Sequence, residues 1–242
     1  MKRIKLSLII PAYNEEKLIV KTLNRVVGYL KKKKYSWEII VVDDGSKDKT
    51  SKLVKSYNSK KVRLITLKEN SGKGAALKEG FLAATGQYHI FTDADLSVEI
   101  ENIDKLMSYL EGDFDVAIAS RRIEGAKIKV HQPWHREKMG QVYTALTSFI
   151  MGMDLKDYTC GMKGFTKKAS KEIFKRSKIK RWAYDSEILF LAKELGFKIK
   201  QAPIVWKNRG DTRVRLKSVI FESFGDLLKV RVNHILGKYN IK

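Results

Sequence analysis

The chain has 242 residues, 43% of them hydrophobic, enough to bury a full core, most simply as one α/β domain. A formal net charge of +22 suits an anionic partner, and the single cysteine, Cys160, excludes an internal disulfide framework and a multi-cysteine zinc site. No run approaches the roughly 18 consecutive apolar residues that span a bilayer, and the first apolar run, at residues 6–10, is too short for a signal peptide.

From the N-terminus the pattern alternates. Residues 6–11 read as a buried strand, and 15–32 as a helix with Leu18, Thr22, Val26 and Leu30 at steps of four. A second apolar run, 37–42, ends in Asp43-Asp44-Gly45-Ser46; a helix at 49–56 and a strand at 62–67 follow. A helix from Lys73 to Ala84 stops before Gly86, and the strand 88–92 runs into Asp93-Ala94-Asp95. This βαβαβα order predicts a mostly parallel, doubly wound sheet flanked by helices. Helix 100–110 and strand 116–119 continue it, and the polar, basic stretch 125–132 reads as a mobile loop. Residues 136–153 read as a helix with Met139, Val142, Leu146, Phe149, Ile150 and Met153 on one side. The tail steps through Leu216, Ile220, Phe224, Leu228, Val232 and Leu236, an amphipathic helix with Lys217, Lys229, Arg231 and Lys238 interleaved. The expected organisation is one domain over 1–215 with a helical appendage over 216–242.

Three features fall at the carboxyl ends of successive strands: Pro11-Ala12-Tyr13-Asn14-Glu15, Asp43-Asp44-Gly45-Ser46 and Asp93-Ala94-Asp95. In an open parallel sheet that edge binds ligands. Carboxylates crowded there repel one another unless a cation or hydrogen-bond donors sit among them. Oxygen-only ligands suit Mg²⁺ or Mn²⁺, which completes its shell with water and substrate phosphates. A lone Asp-x-Asp is equally a turn or a cap; three acidic strand ends in succession favour the metal. Asn70-Ser71-Gly72-Lys73-Gly74 precedes a helix and can offer backbone N–H groups and a lysine to phosphate, yet it matches neither a Walker A loop nor a dinucleotide fingerprint.

Together with Val41-Val42, Leu96 and Gly72-Lys73-Gly74, these segments resemble family 2 glycosyltransferases of the GT-A fold. Ser120-Arg121, the run from Asp157 to Phe165 and the run from Arg181 to Glu187 resemble the polyprenyl-phosphate sugar synthases, dolichyl-phosphate β-glucosyltransferases first and mannose synthases next. The resemblance spans residues 6–214. It implies that Pro11, Tyr13, Glu15, Val42 and Asp44 hold the nucleoside and that Asp93, Ala94 and Asp95 meet metal and diphosphate, with Lys73 beside the donor. It places Arg121 and Arg136 toward an acceptor phosphate, and Arg213 where a basic residue closes over the donor. Ser97 stands where mannose synthases usually have Gln, which leans against mannose. Gly210-Asp211-Thr212-Arg213 departs from the usual closing sequence.

The implied reaction is inverting transfer of a hexose from a nucleotide-diphosphate sugar, UDP-glucose or GDP-mannose, to a polyprenyl (dolichyl or undecaprenyl) phosphate. An ionised acceptor phosphate needs no strong general base; a glycan or protein hydroxyl would need one, with Asp157 the first candidate and Asp185 the second. For Asp185 and Glu187, helix capping is the plainer role. Asp95, Asp157 and Arg121 form the expected catalytic set. A non-catalytic basic module binding nucleic acid or membrane is a third possibility, but no RNP-like or helix-turn-helix pattern accompanies the charge. The expected location is cytoplasmic, peripheral at the membrane face, with the amphipathic segments or a membrane-protein partner as anchor; packing on the domain or in a homo-oligomer would also use those stripes.

Overall fold

The computed structural model describes residues 3–208 and 216–241, with side chains of the last segment from residue 222 onward. Strand β1 (Leu6–Ala12) is followed by α1 (Ile19–Leu30), β2 (Trp37–Asp43), α2 (Thr50–Lys55) and β3 (Val62–Thr66). Then come α3 (Lys73–Ala83), β4 (Tyr88–Thr92), α4 (Asn102–Glu111), β5 (Val116–Ser120), β6 (Lys127–Val130) and α5 (Trp134–Met151). The chain closes with β7 (Met162–Thr166), α6 (Lys167–Arg176), α7 (Tyr184–Glu194), β8 (Ile199–Pro203), β9 (Val205–Lys207) and α8 (Leu216–Ile235).

Seven strands form one sheet in the order β3-β2-β1-β4-β7-β5-β8, parallel except for β7, which runs antiparallel to both β4 and β5. Every residue of β1 and β2 is buried, as expected of parallel strands covered on both faces. Alternation along β1 sends Leu6, Leu8, Ile10 and Ala12 into the layer under α1 and α4, while Ile9 enters the layer under α3, α6 and α7. Chain direction places β2 on one side of β1 and β4 on the other. The carboxyl edge between β1 and β4 is therefore a topological switch point, where a crevice opens. The opposite edge is closed by Glu38, which accepts from Ser7 Oγ (2.6 Å), the Thr85 amide (2.9 Å) and Arg63 Nε (3.1 Å).

Two segments differ from expectation. The helix predicted from Glu15 begins only at Ile19: Asn14 takes a left-handed φ of 54°, and a turn at Glu15 precedes the helix. The stretch predicted as a mobile loop contains β6, paired in parallel with β9, because the backbone of 127–130 finds partners contributed from far along the chain. Among the described residues no helix is long and apolar enough to cross a membrane.

Candidate active site

The first two acidic strand ends are locked to one another by side-chain-to-backbone bonds. After β1, the Asn14 amide donates to Ser46 Oγ (2.9 Å), the Glu15 amide donates to Thr50 Oγ1 (2.8 Å), and Asn14 Oδ1 accepts from the Lys47 amide (2.9 Å). After β2, buried Asp43 accepts from the Ser46 amide and from the Ser46 and Ser51 hydroxyls, and so braces its own turn. Gly45 sits at φ 68°, and a Cβ there would run into the backbone of Glu69 and Asn70; only glycine fits.

Asp44 turns the other way, toward α3. Its carboxylate accepts from the Ser71 amide (2.8 Å), the Gly72 amide (2.9 Å) and Asn70 Nδ2 (3.0 Å). The Ala75 amide donates to the Lys180 carbonyl (3.1 Å). The Ser71, Gly72 and Ala75 amides, in and beside the segment the sequence offered to phosphate, are thus used by the protein itself. Burial raises the Asp44 pKa, partly offset by these backbone donors and by the positive charge of Arg181.

Strand β4 delivers Asp93-Ala94-Asp95. The Thr22 hydroxyl of α1 donates to the Ala94 carbonyl, and the Asp93 amide donates to the Gly161 carbonyl (3.2 Å), so the turn is held from both sides. Leu96 follows with φ 51°, an uncommon conformation for a residue with a Cβ and a place where backbone strain is stored. Asp93 pairs with Lys73 Nζ; a Cβ on Gly161 would collide with its carboxylate. Exposed Asp95 accepts from the Ser97 amide (2.8 Å) and hydroxyl (2.8 Å). Burial acts to lower the Lys73 pKa, but the carboxylates of Asp93, Asp185 and Asp95 prevail and raise it.

These elements enclose a pocket of about 470 Å³, within the range of small-molecule sites. Pro11, Tyr13, Glu15, Asp44, Lys73, Asp93, Ala94 and Asp95, all expected at the donor, line it. Val42 does not: it is wholly buried, and its side chain packs toward Gly80 of α3 in the core beneath. Arg213 lies outside the described residues. Asn70, from the segment the sequence offered to phosphate, also lines it, and so do Arg181 and Trp182, which carried no predicted site role. Their signal was a cation and an aromatic side chain directly before an acidic helix start. The loop that carries them is pinned by buried Glu187, which accepts from the Lys178 (2.9 Å) and Ile179 (2.8 Å) amides and from the Tyr239 hydroxyl (2.7 Å).

Arg121 ends β5 beside the chain that leads to Gly161. Its Nε donates to Asp157 Oδ2 (2.7 Å), and its Nη2 donates to Asp157 Oδ1 (2.8 Å) and Thr159 Oγ1 (3.0 Å). The guanidinium carbon lies 5.5 Å from the centre of the Trp206 ring. Asp157 is fully buried; burial raises its pKa, but Arg121 outweighs this and holds the carboxyl below the usual range. Asp185 is likewise paired, with the fully buried Lys163, whose Nζ also donates to the Cys160 carbonyl (2.9 Å). Neither Asp185 nor Glu187 makes a helix-capping bond. Burial pushes the Cys160 thiol up to about 12, which suits packing and not nucleophilic attack. Arg136 lies in the first turn of α5 and does not line the pocket.

Among the described residues no group of three or more His, Cys, Asp or Glu is placed to hold a metal ion. What the protein offers is an oxygen-only pair, Asp93 and Asp95, on the pocket wall. That suits a hard cation taking its remaining ligands from phosphate and water. A positive charge, the Lys73 ammonium, already rests against Asp93.

A mostly parallel sheet with an acidic triplet at its switch-point edge fits the GT-A fold, and solved glycosyltransferase structures share that fold. Glucosyl-3-phosphoglycerate synthase from Mycobacterium tuberculosis, crystallised with uridine diphosphate, matches with TM-score 0.68 at 18% identity, covering 94% of this chain and 80% of that one. S. aureus TarS with UDP-GlcNAc matches with TM-score 0.60 at 21% identity, covering 95% and 67%. The model of glycosyl transferase family 2 matches residues 7–174, and the chain belongs to that family. It is 33% identical over 251 residues to a dolichyl-phosphate β-glucosyltransferase of Dictyostelium discoideum, covering 98% of this chain and 77% of the relative. It is 30% identical over 253 residues to that of Homo sapiens, covering 98% and 78%.

Proposed function

We propose that this glycosyltransferase moves glucose, with inversion, from a nucleotide-diphosphate donor, UDP-glucose first, to a dolichyl-type polyprenyl phosphate at the cytoplasmic face of a membrane. The observation that carries the acceptor choice is the state of the two carboxylates nearest to a base role. Asp157 is buried against Arg121 and Asp185 against Lys163, so each faces a cation and not a substrate hydroxyl. A phosphate monoester is already largely ionised near neutral pH and needs no proton removed.

In this reading the pocket between Tyr13, Glu15, Asp44 and Trp182 receives the nucleoside, and Lys73 and Arg181 meet the diphosphate. Arg121, oriented by Asp157, meets the acceptor phosphate, and Arg136 is a second contact. An acceptor oxygen forms the new bond to the anomeric carbon from the face opposite the diphosphate. The anomeric carbon–oxygen bond to the diphosphate breaks, and its electron pair leaves on the phosphate oxygen. Mg²⁺ or Mn²⁺ held by Asp93 and Asp95 would offset the charge that the diphosphate develops. Identities of about 30% over nearly the whole chain to dolichyl-phosphate β-glucosyltransferases support the same sugar and acceptor.

Incubation with Mg²⁺ or Mn²⁺, labelled UDP-glucose or GDP-mannose, and dolichyl or undecaprenyl phosphate should yield label in an organic-extractable lipid, with UDP-glucose the better donor. No lipid-linked sugar from either donor would refute the acceptor assignment. Asp95→Ala should lose metal-dependent donor binding along with turnover.

A further inference from the structure

Strand β9 is only 3 residues long, yet its backbone is held on both sides. On one side Trp206 pairs with Ile128 of β6. On the other it bridges to Val98, and the Lys207 amide donates to the carbonyl of Ser97 (3.0 Å), in the turn that follows Asp95. The Trp206 side chain is buried in the hydrophobic cluster that also takes in Ala94, Leu96 and Val98. The guanidinium carbon of Arg121 lies over the face of its ring. The strand thus stands between the turn that carries Asp95 and the arginine assigned to the acceptor phosphate.

That guanidinium is only partly used. Its Nε–H and one N–H on Nη2 go to Asp157, and Nη2 also donates to Thr159 Oγ1. The N–H groups on Nη1 have no hydrogen-bond partner among the described residues. The side chain is 15% exposed. Unused donors on a charged group so nearly buried are costly to leave unpaired, and they suit an oxyanion. Bonds to Asp157 and Thr159 anchor one side of the planar group and leave it able to rock about that side. An aromatic ring beneath it limits the rocking, and attraction between cation and ring face holds the two together.

We infer that Trp206 is a positioning residue for transfer: it holds Arg121 so that the Nη1 edge meets the acceptor phosphate. Through β9 it also keeps that edge in register with the Asp95 turn. This rests on the phosphate-acceptor reading above and adds the residue that aims the arginine. A tryptophan that only fills the core would be replaceable by any apolar side chain of similar bulk, whereas a platform for a cation requires the ring face.

The test measures calorimetric binding of a short, water-soluble prenyl phosphate to the whole chain saturated with Mn²⁺ and UDP. Glucose transfer from UDP-glucose to the same acceptor is followed alongside. W206M keeps apolar bulk without a ring, and W206F keeps a smaller ring. W206M should weaken prenyl phosphate binding about tenfold and raise its KM by the same factor, with UDP affinity within about twofold of wild type. W206F should recover most of the loss. Increasingly fluorinated tryptophans, placed at 206 alone, weaken the ring's attraction for a cation at nearly constant shape. Phosphate binding should fall stepwise along that series while UDP binding and Tm hold. Where W206M no longer binds UDP, the fluorinated series decides. A flat series would overturn the inference, as would a series in which UDP binding declines in parallel. So would W206M binding phosphate as wild type does, or W206M and W206F losing it equally. A stepwise decline in phosphate binding, in a protein that transfers no glucose, would leave the role of Trp206 standing and remove the proposed function. A wild type that binds no prenyl phosphate would remove both.

Discussion

Replacing Asp157 with Asn separates a carboxylate that holds Arg121 from one that acts as a base. In the native protein Oδ2 accepts from the Arg121 amide (3.0 Å) and Nε (2.7 Å), and Oδ1 accepts from Arg121 Nη2 (2.8 Å) and the Thr159 amide (3.3 Å). Whichever oxygen becomes the amide nitrogen, its N–H groups then face other N–H donors. Arg121 is left partly buried without a counter-charge. Removing one partner of a buried ion pair costs about 3–5 kcal/mol. For a chain of this size each kcal/mol lowers Tm by roughly 2–4 °C, so D157N should melt about 6–20 °C below wild type at pH 7. The pH dependence adds a second readout. Because the folded Asp157 pKa is depressed, its contribution is complete above the unfolded value of about 3.9 and disappears as pH falls through the folded value. The Tm gap should therefore narrow toward pH 3, while Arg121 stays charged throughout. Calorimetry and urea titration followed by tryptophan fluorescence measure both effects. A variant that melts with wild type, binds donor normally and has lost all transfer would refute the positioning role and restore Asp157 as a base.

Burial pushes the His89 pKa down to about 4. Its Nε2 donates to the Gly86 carbonyl (3.0 Å), so Nδ1 accepts from the Ser170 hydroxyl (2.7 Å). Between pH 4 and roughly 6.5 the unfolded chain binds a proton that the folded chain does not, so stability should fall by about 3 kcal/mol as pH drops through that window. The H89Q variant should flatten that slope in urea titrations; an unchanged slope counts against it. Gly161→Ala should leave the fold intact but push the Asp93 carboxylate aside, weakening metal-dependent UDP binding by calorimetry about tenfold, or about 1.4 kcal/mol. Native affinity in that variant would remove the close approach from the site. Tyr239→Phe deprives buried Glu187 of one donor, a loss of about 1–3 kcal/mol, and should speed hydrogen exchange at the Lys178 and Ile179 amides. Exchange at the native rate would show that the C-terminal tyrosine does not brace the Arg181–Trp182 wall.

Much of the first half was legible as a linear pattern. Strands β1, β2 and β4 are apolar runs ending in Asn, Asp or Glu, and parallel topology places every such end on one edge. That physical rule was enough to bring Tyr13, Glu15, Asp44, Asp93 and Asp95 into one crevice from residues scattered along the chain. What required the tertiary structure was direction and partnership. Val42 and Asp44 are two residues apart, yet Val42 turns into the core while Asp44 reaches the pocket and takes up the amides of Ser71 and Gly72. Asp157 carries the same carboxylate as Asp95, but desolvation and the Arg121 guanidinium make it a buried brace. The strand at 127–130 exists because β9, far along the sequence, supplies its hydrogen-bond partners. The apolar side predicted for residues 136–153 is split in the structure: Ile150 and Met153 pack on the core while Val142 and Phe149 are exposed, a division that periodicity alone does not carry. Only packing turned Thr144 and Thr147 toward the protein and left Val142 and Phe149 outside.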